Sequence, residues 1–129
     1  MSSPEEVLRK YSRVAVVGAS SNPDKAAGNV PAFLQSIGWD VTPVNPTRDD
    51  AVASLADVPQ PLEVVDVFRP AEEAPEIARA AVAAGAKALW LQLGITSDEA
   101  RRIAEEAGLD YVEDACMAAE SRRTGIRKG

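Results

Sequence analysis

The chain has 129 residues, 46% of them hydrophobic, which suits one ordinary globular domain with a buried core. It has no histidine and one cysteine, Cys116, so no intramolecular disulfide can form, a thiolate or imidazole metal cage has almost nothing to be built from, and Ser-His-Asp or Cys-His hydrolase chemistry is not expected. The net charge of −6 argues against a nucleic-acid surface, and the absence of a membrane-length apolar run or a basic-then-apolar leader points to a soluble, cytoplasmic protein.

The first predicted element is a short helix. Ser3-Pro4-Glu5-Glu6 supplies an N-cap serine, a proline at the first helical position and a glutamate at the third, and the helix runs to about Lys10. "RVAVVG" then reads as a strand covered on both faces, as in a parallel sheet. Val30, Phe33, Leu34 and Ile37 form one stripe of a helix that Gly38 can end. "WDVTPVNP" is a second strand stopped by Asn45-Pro46, and "PLEVVDVF" is a third. "PAEEAPEIARAAVAAG" follows as a helix with Ala74, Ile77, Ala78, Ala81 and Val82 on one face. "AKALWLQLG" is the fourth strand. A capping-box pattern at Thr96-Ser97-Asp98-Glu99 then opens a helix whose buried face is Ala100, Ile103, Ala104 and Ala107, and "LDYVED" is the fifth strand. Such alternation implies an α/β, Rossmann-like, doubly wound and mostly parallel five-stranded sheet in a single domain. That domain spans 1–129, with an N-terminal helix within 1–12 and a basic tail at 120–129 read from its charge as solvated and frayed.

Ligands of such sheets bind outside the carboxyl ends of the strands, where strand order reverses. In "VAVVGASSNPDK", Gly18 lets a phosphate approach the main chain, with the Ser20 or Ser21 hydroxyl as donor, although glycine and serine also make ordinary strand-to-helix turns. The dinucleotide fingerprint is broken: Ser20 and Pro23 stand where its later glycines belong, and the next glycine is Gly28. The second strand ends in Asn45-Pro46-Thr47-Arg48, without the acid an NAD ribose requires, and a cation there suits a phosphorylated ribose.

The ordered set "VAVVGASSNPDK", "VTPVNPTR", "VVDVFRP", "LWLQLGI" and "YVEDACM" resembles the bacterial stand-alone CoA-binding protein family, itself similar to the N-terminal domain of the succinyl-CoA synthetase alpha subunit. The likeness spans about Val7 to Ala119. It implies coenzyme A held across the strand ends. Gly18, Ala19 and Ser20 would face a phosphate; Asn45, Pro46 and Arg48 would meet the adenosine and its 3′-phosphate; Val67, Phe68 and Arg69, then Gln92 and Gly94, would follow along the ligand; Cys116 would lie towards the thiol end. Two segments depart from the pattern. A histidine that follows the cysteine in many relatives ("KIEH") is Ser121 within "MAAES", and an "SPKPDR"-like loop is "SSNPDK", which keeps the cation Lys25.

Lys25, Arg48 and Arg69 are the cations that would make an acidic protein attractive to the phosphates of coenzyme A. Trp39 and Trp90 read as packing residues ahead of adenine platforms, and Asp66 as a hydrogen-bonded structural aspartate ahead of a catalytic one. Cys116, if the pantetheine arm ends beside it, could form a mixed disulfide with coenzyme A under oxidation. The sequence therefore leads to a binding or regulatory module for coenzyme A or an acyl-CoA, without catalytic machinery, open to a homodimer or a protein partner. The alternatives are a small acyl-CoA- or NAD(P)-dependent enzyme, in which Asp66, Arg69 or Cys116 would have to act, and a scaffold whose pocket has lost its ligand.

Overall fold

The valine-rich runs pair into one all-parallel sheet in the computed structural model, which describes residues 1–128. The strands are β1 (Arg13–Val17), β2 (Asp40–Val44), β3 (Val64–Val67), β4 (Ala88–Leu91) and β5 (Asp110–Val112), in the order β2-β1-β3-β4-β5. The helices are α1 (Pro4–Lys10), α2 (Ala26–Ser36), α3 (Ala74–Ala83), α4 (Asp98–Glu106) and α5 (Met117–Thr124). Every residue of β3 and β4 is buried, as expected of central strands covered by helices on both sides.

Alternation along each strand divides the core in two. On one face Ala15, Val65, Val67, Leu89, Leu91 and Tyr111 pack with Ala74, Ala78 and Ala81 of α3 and Ala100 and Ala104 of α4. On the other, Val14, Val16, Val64, Trp90 and Val112 pack with Val7 and Leu8 of α1, Val30 and Leu34 of α2, and Met117 and Ala118 of α5. The small alanines of α3 let that helix lie close to the sheet.

Three local readings are corrected. Ser97, not Thr96, is the N-cap of α4: its Oγ accepts from the Ala100 N–H at 3.1 Å. Ala107 is an exposed C-cap and lies off the buried face, because the helix has ended at Glu106. The basic C-terminal segment is not frayed as far as residue 128, and Gly129 lies outside the described residues. Residues 117–124 form α5, Gly125 closes it in the left-handed conformation, and the Lys128 N–H donates to the Ile37 carbonyl at 2.8 Å. The predicted third helix begins as a 3-10 turn at Ala71–Glu73 and becomes α-helical from Ala74, with Pro75 in its first turn where no N–H is needed.

Because β2 and β3 lie on opposite sides of β1, the order reverses between β1 and β3. The loops leaving those two strands diverge there and open the sheet's carboxyl edge.

Candidate functional site

Gly18 ends β1 at this reversal with φ of +86°. A β-carbon there would lie 2.7 Å from the Phe68 carbonyl oxygen and 2.9 Å from Arg69 Cδ, so the close approach of the loop after β3 requires glycine. The Gly18 N–H is not free for a ligand: it donates to the Val44 carbonyl at 3.0 Å. In the loop that follows, the Ser20 N–H donates to the Ala27 carbonyl, and the Ser20 hydroxyl accepts from the Asn22 N–H. The turn's polar groups thus largely satisfy one another. What it leaves at its far side is the start of α2, whose N-cap Lys25 gives no side-chain cap to the first helical N–H groups. Gly28 earns its place by contact, since a β-carbon there would collide with the Asn22 carbonyl folded over the helix. It thus does the packing work of a fingerprint glycine at a spacing that motif reading does not recognise.

Asn45 ties two strand ends together. Its Nδ2 donates to the Ala19 carbonyl at 2.8 Å, and its Oδ1 accepts from the Thr47 N–H and hydroxyl at 2.9 and 2.7 Å. The loop then returns on itself: the Asn45 N–H donates to the Val52 carbonyl, and the Val52 N–H to the Pro43 carbonyl. Arg48 is carried on this closed loop.

Two hollows result. The larger, about 430 Å³, lies between the loop after β2 and α3; Asn45, Pro46 and Thr47 form one wall, Arg69, Glu73 and Ile77 the other, and Val17, Gly18 and Leu55 complete it. The smaller, about 370 Å³, lies along the outer side of α2 and β2 and contains Ala19, Ser20, Gly28, Arg48 and Asp50. The three predicted cations are therefore not gathered into one cluster. Arg69 faces the first hollow, Arg48 the second, and Lys25 lines neither.

Each arginine already holds a carboxylate. Arg48 Nε and Nη2 donate to the two oxygens of Asp50 at 2.9 and 2.7 Å, and Arg69 does the same to Glu73 at 3.1 and 2.7 Å. These hydrogen bonds hold both acids below their usual carboxylate range. The sequence reading missed both partners. Glu73, four residues after Arg69, carried the ordinary spacing signal of such a pair, whereas Asp50, two residues after Arg48, meets it only through the loop's closure.

The remaining predicted residues divide into mouth and core. Phe68 is half-buried and Gly94 is exposed at the strand ends, the Gly94 N–H donating to Asp114 Oδ1 at 2.7 Å. Val67 is wholly buried against the α3 face. Gln92 is 4% exposed, and its Oε1 accepts from the Met117 N–H at the start of α5, directly after half-buried Cys116. Ser121 is buried beneath α5 and bonded to the Met117 carbonyl at 2.7 Å, so the position of the absent histidine lies inside the helix layer. Asp66 departs from expectation. Both its carboxylate oxygens are buried with no hydrogen-bond partner among the described residues, and burial pushes its pKa well above the usual carboxylate range. Trp90 is core, with Nε1 bonded to the Ala115 carbonyl at 2.7 Å, and Trp39 is buried under Lys128 at 5.4 Å from its ring centre.

Residues 12–122 match the family described as the CoA binding domain. The chain belongs to that family. The uncharacterized protein YneT of Bacillus subtilis (strain 168) is 35% identical over 118 residues, covering 88% of this chain and 87% of YneT. A hypothetical protein from Pyrococcus horikoshii OT3 superposes with a TM-score of 0.88 at 37% identity, covering 93% of this chain and 88% of that one. A dinucleotide-forming acetyl-coenzyme A synthetase from Ca. Korarchaeum cryptofilum, solved with phosphate and ADP, aligns with a TM-score of 0.70 at 25% identity. That match covers 84% of this chain but 27% of the synthetase, so the CoA-binding domain described here corresponds to one part of a larger enzyme.

Proposed function

We propose that the protein binds coenzyme A across the carboxyl ends of β1, β2 and β3 and works as a binding or regulatory module without catalytic groups of its own. The observation that carries this reading is the pair of hollows flanking Gly18, each with one arginine on its wall, in a chain of the CoA-binding family. The larger hollow is floored by Val17, Leu55 and Ile77 and has the size and apolar lining of a small-molecule site, which suits the adenine ring. In the smaller hollow the Arg48 fork and the Ser20 hydroxyl suit a phosphate monoester on the ribose. The uncapped start of α2, with Lys25, suits the pyrophosphate. Phe68 and Gly94, at the strand ends, mark the route of the pantetheine arm towards Cys116, with buried Gln92 holding the start of α5 beside it. The module reading rests on what is missing for chemistry: no histidine occurs in the sequence, and Asp66 has no access to solvent.

Calorimetry with Arg48→Ala tests the assignment. Loss of one charge-assisted pair to a phosphate is worth about tenfold in affinity, so coenzyme A weakens about tenfold while dephospho-coenzyme A changes little. Equal losses for both ligands remove the 3′-phosphate from Arg48. A thermal-shift comparison of coenzyme A, acetyl-coenzyme A, NAD and NADP tests the reading as a whole, since a ligand bound only by the native state raises the melting temperature. No shift with coenzyme A at millimolar concentration overturns it, and turnover of any acyl-CoA overturns the module.

A further inference from the structure

We propose that Asp50 is an internal competitor for the ligand phosphate at Arg48, and that displacing it sets how strongly the site prefers a phosphate monoester. This rests on the coenzyme A reading above. A guanidinium binds a carboxylate or a phosphate through the same fork of parallel N–H donors. In this structure Nε and Nη2, the fork nearest the side-chain stem, are both given to Asp50. The two side chains differ in exposure: Arg48 is 19% exposed and Asp50 71%. The arginine therefore sits in the wall of the hollow, and the carboxylate caps it from the solvent side. Asp50 lines the same hollow as Ser20 and Gly28, so its charge also opposes any anion that enters.

The geometry makes exchange easy. Asp50 is attached to the closed loop 45–52, and once released it faces water, where a carboxylate is fully hydrated at little cost. A dianionic phosphate monoester replaces one carboxylate charge with two and can take over the fork. A ligand lacking that group gains nothing by displacing Asp50 and leaves the pair intact. The carboxyl is held below its usual range by Arg48, so it stays charged throughout the neutral region, and the pH dependence of the competition there comes from the second ionisation of the phosphate monoester, at about pH 6.

Asp50→Asn keeps the shape and removes the charge, and Asp50→Ser removes the fork partner as well. Isothermal titration at low salt should show coenzyme A binding about three to five times more tightly to both variants than to wild type, the gain expected from freeing one exposed ion pair. Dephospho-coenzyme A should change by less than about twofold, and the gain for coenzyme A should shrink at high salt. Glu105→Gln, the same change of net charge on α4 away from the hollows, should leave both affinities unaltered. Weaker or unchanged binding of coenzyme A to the folded variants overturns the proposal, because Asp50 would then orient Arg48 or be idle. An equal gain for both ligands also overturns it, as that is general repulsion. Failure of wild type to bind coenzyme A overturns the functional reading itself, which separates the two failures.

Discussion

At position 66 a carboxyl lies in the middle of the sheet, in register with Val16 on one side and Trp90 on the other. The helices on that face bring Val30, Leu34, Met117 and Ala118, which offer it no donor, so desolvation alone raises its pKa. A carboxyl whose native pKa lies above its unfolded value binds more protons folded than unfolded, and stability falls as pH rises from the unfolded pKa towards the native one. Asp66→Asn removes this titration. The variant should be more stable than wild type by about 1–3 kcal/mol at pH 8, with the difference shrinking towards pH 4, in urea unfolding followed across that range. Parallel pH profiles for the two proteins would count against a buried, unpaired Asp66. The run "VVDVF" showed that this acid is buried, but not that it lacks a partner, since any donor would have come from α2 or α5, helices far from the run in the sequence on either side. The two arginines divide on the same point: Glu73, four residues after Arg69, was legible as its partner, whereas Asp50 became visible as the partner of Arg48 only with the loop folded.

Among the elements, α4 shows how finely a cap is set by tertiary context. "TSDE" offers two hydroxyls, and a capping box favours Thr96 with Glu99. The chain leaving β4 turns so that Ser97 takes the extended conformation at φ −159° and its Oγ reaches the Ala100 N–H. Ala100 then points into the core and the polar residues outward, and a register one residue earlier would rotate that stripe away from the sheet. Ser97→Ala should cost about 1 kcal/mol and Thr96→Ala less than about 0.5 kcal/mol in chemical denaturation. The reverse ranking would restore Thr96 as the cap. In α3, Pro75 was legible as a start signal, but not the 3-10 turn before it, in which the Glu73 N–H donates to the Pro70 carbonyl at 2.9 Å.

For the whole molecule, the least legible part was the C-terminal segment. Its arginines and lysines resemble a solvated tail, and Arg122, Arg123 and Arg127 are indeed exposed. Yet the face of the sheet bearing Val16 and Trp90 needs a third covering helix, and Met117, Ala118 and Ser121 of α5 fill that space. Beyond Gly125 the chain continues to bind: Ile126 packs on the same cluster, the Lys128 N–H meets the Ile37 carbonyl, and Lys128 Nζ reaches the Arg9 carbonyl at 3.2 Å. Truncation after Thr124 should therefore destabilise the protein by about 1–2 kcal/mol, read as a fall in melting temperature, since part of an isoleucine's burial is lost. An unchanged melting temperature would mean that the segment is bound too weakly to matter.

The sequence by itself determined the alternation of strands and helices, the buried character of the central strands, the family likeness and the five strand-end segments where a ligand site had to be sought. Each of these is written in residues close together in the chain, through periodicity, caps and turn residues. The tertiary structure alone decided that β1 lies between β2 and β3, that Gly18 touches the Phe68 loop, that Arg48 and Arg69 face separate hollows, and that Arg48 meets Asp50. Periodicity reports whether a segment is buried. Which loops become neighbours depends on strand order, and that is set by packing between segments distant in the chain.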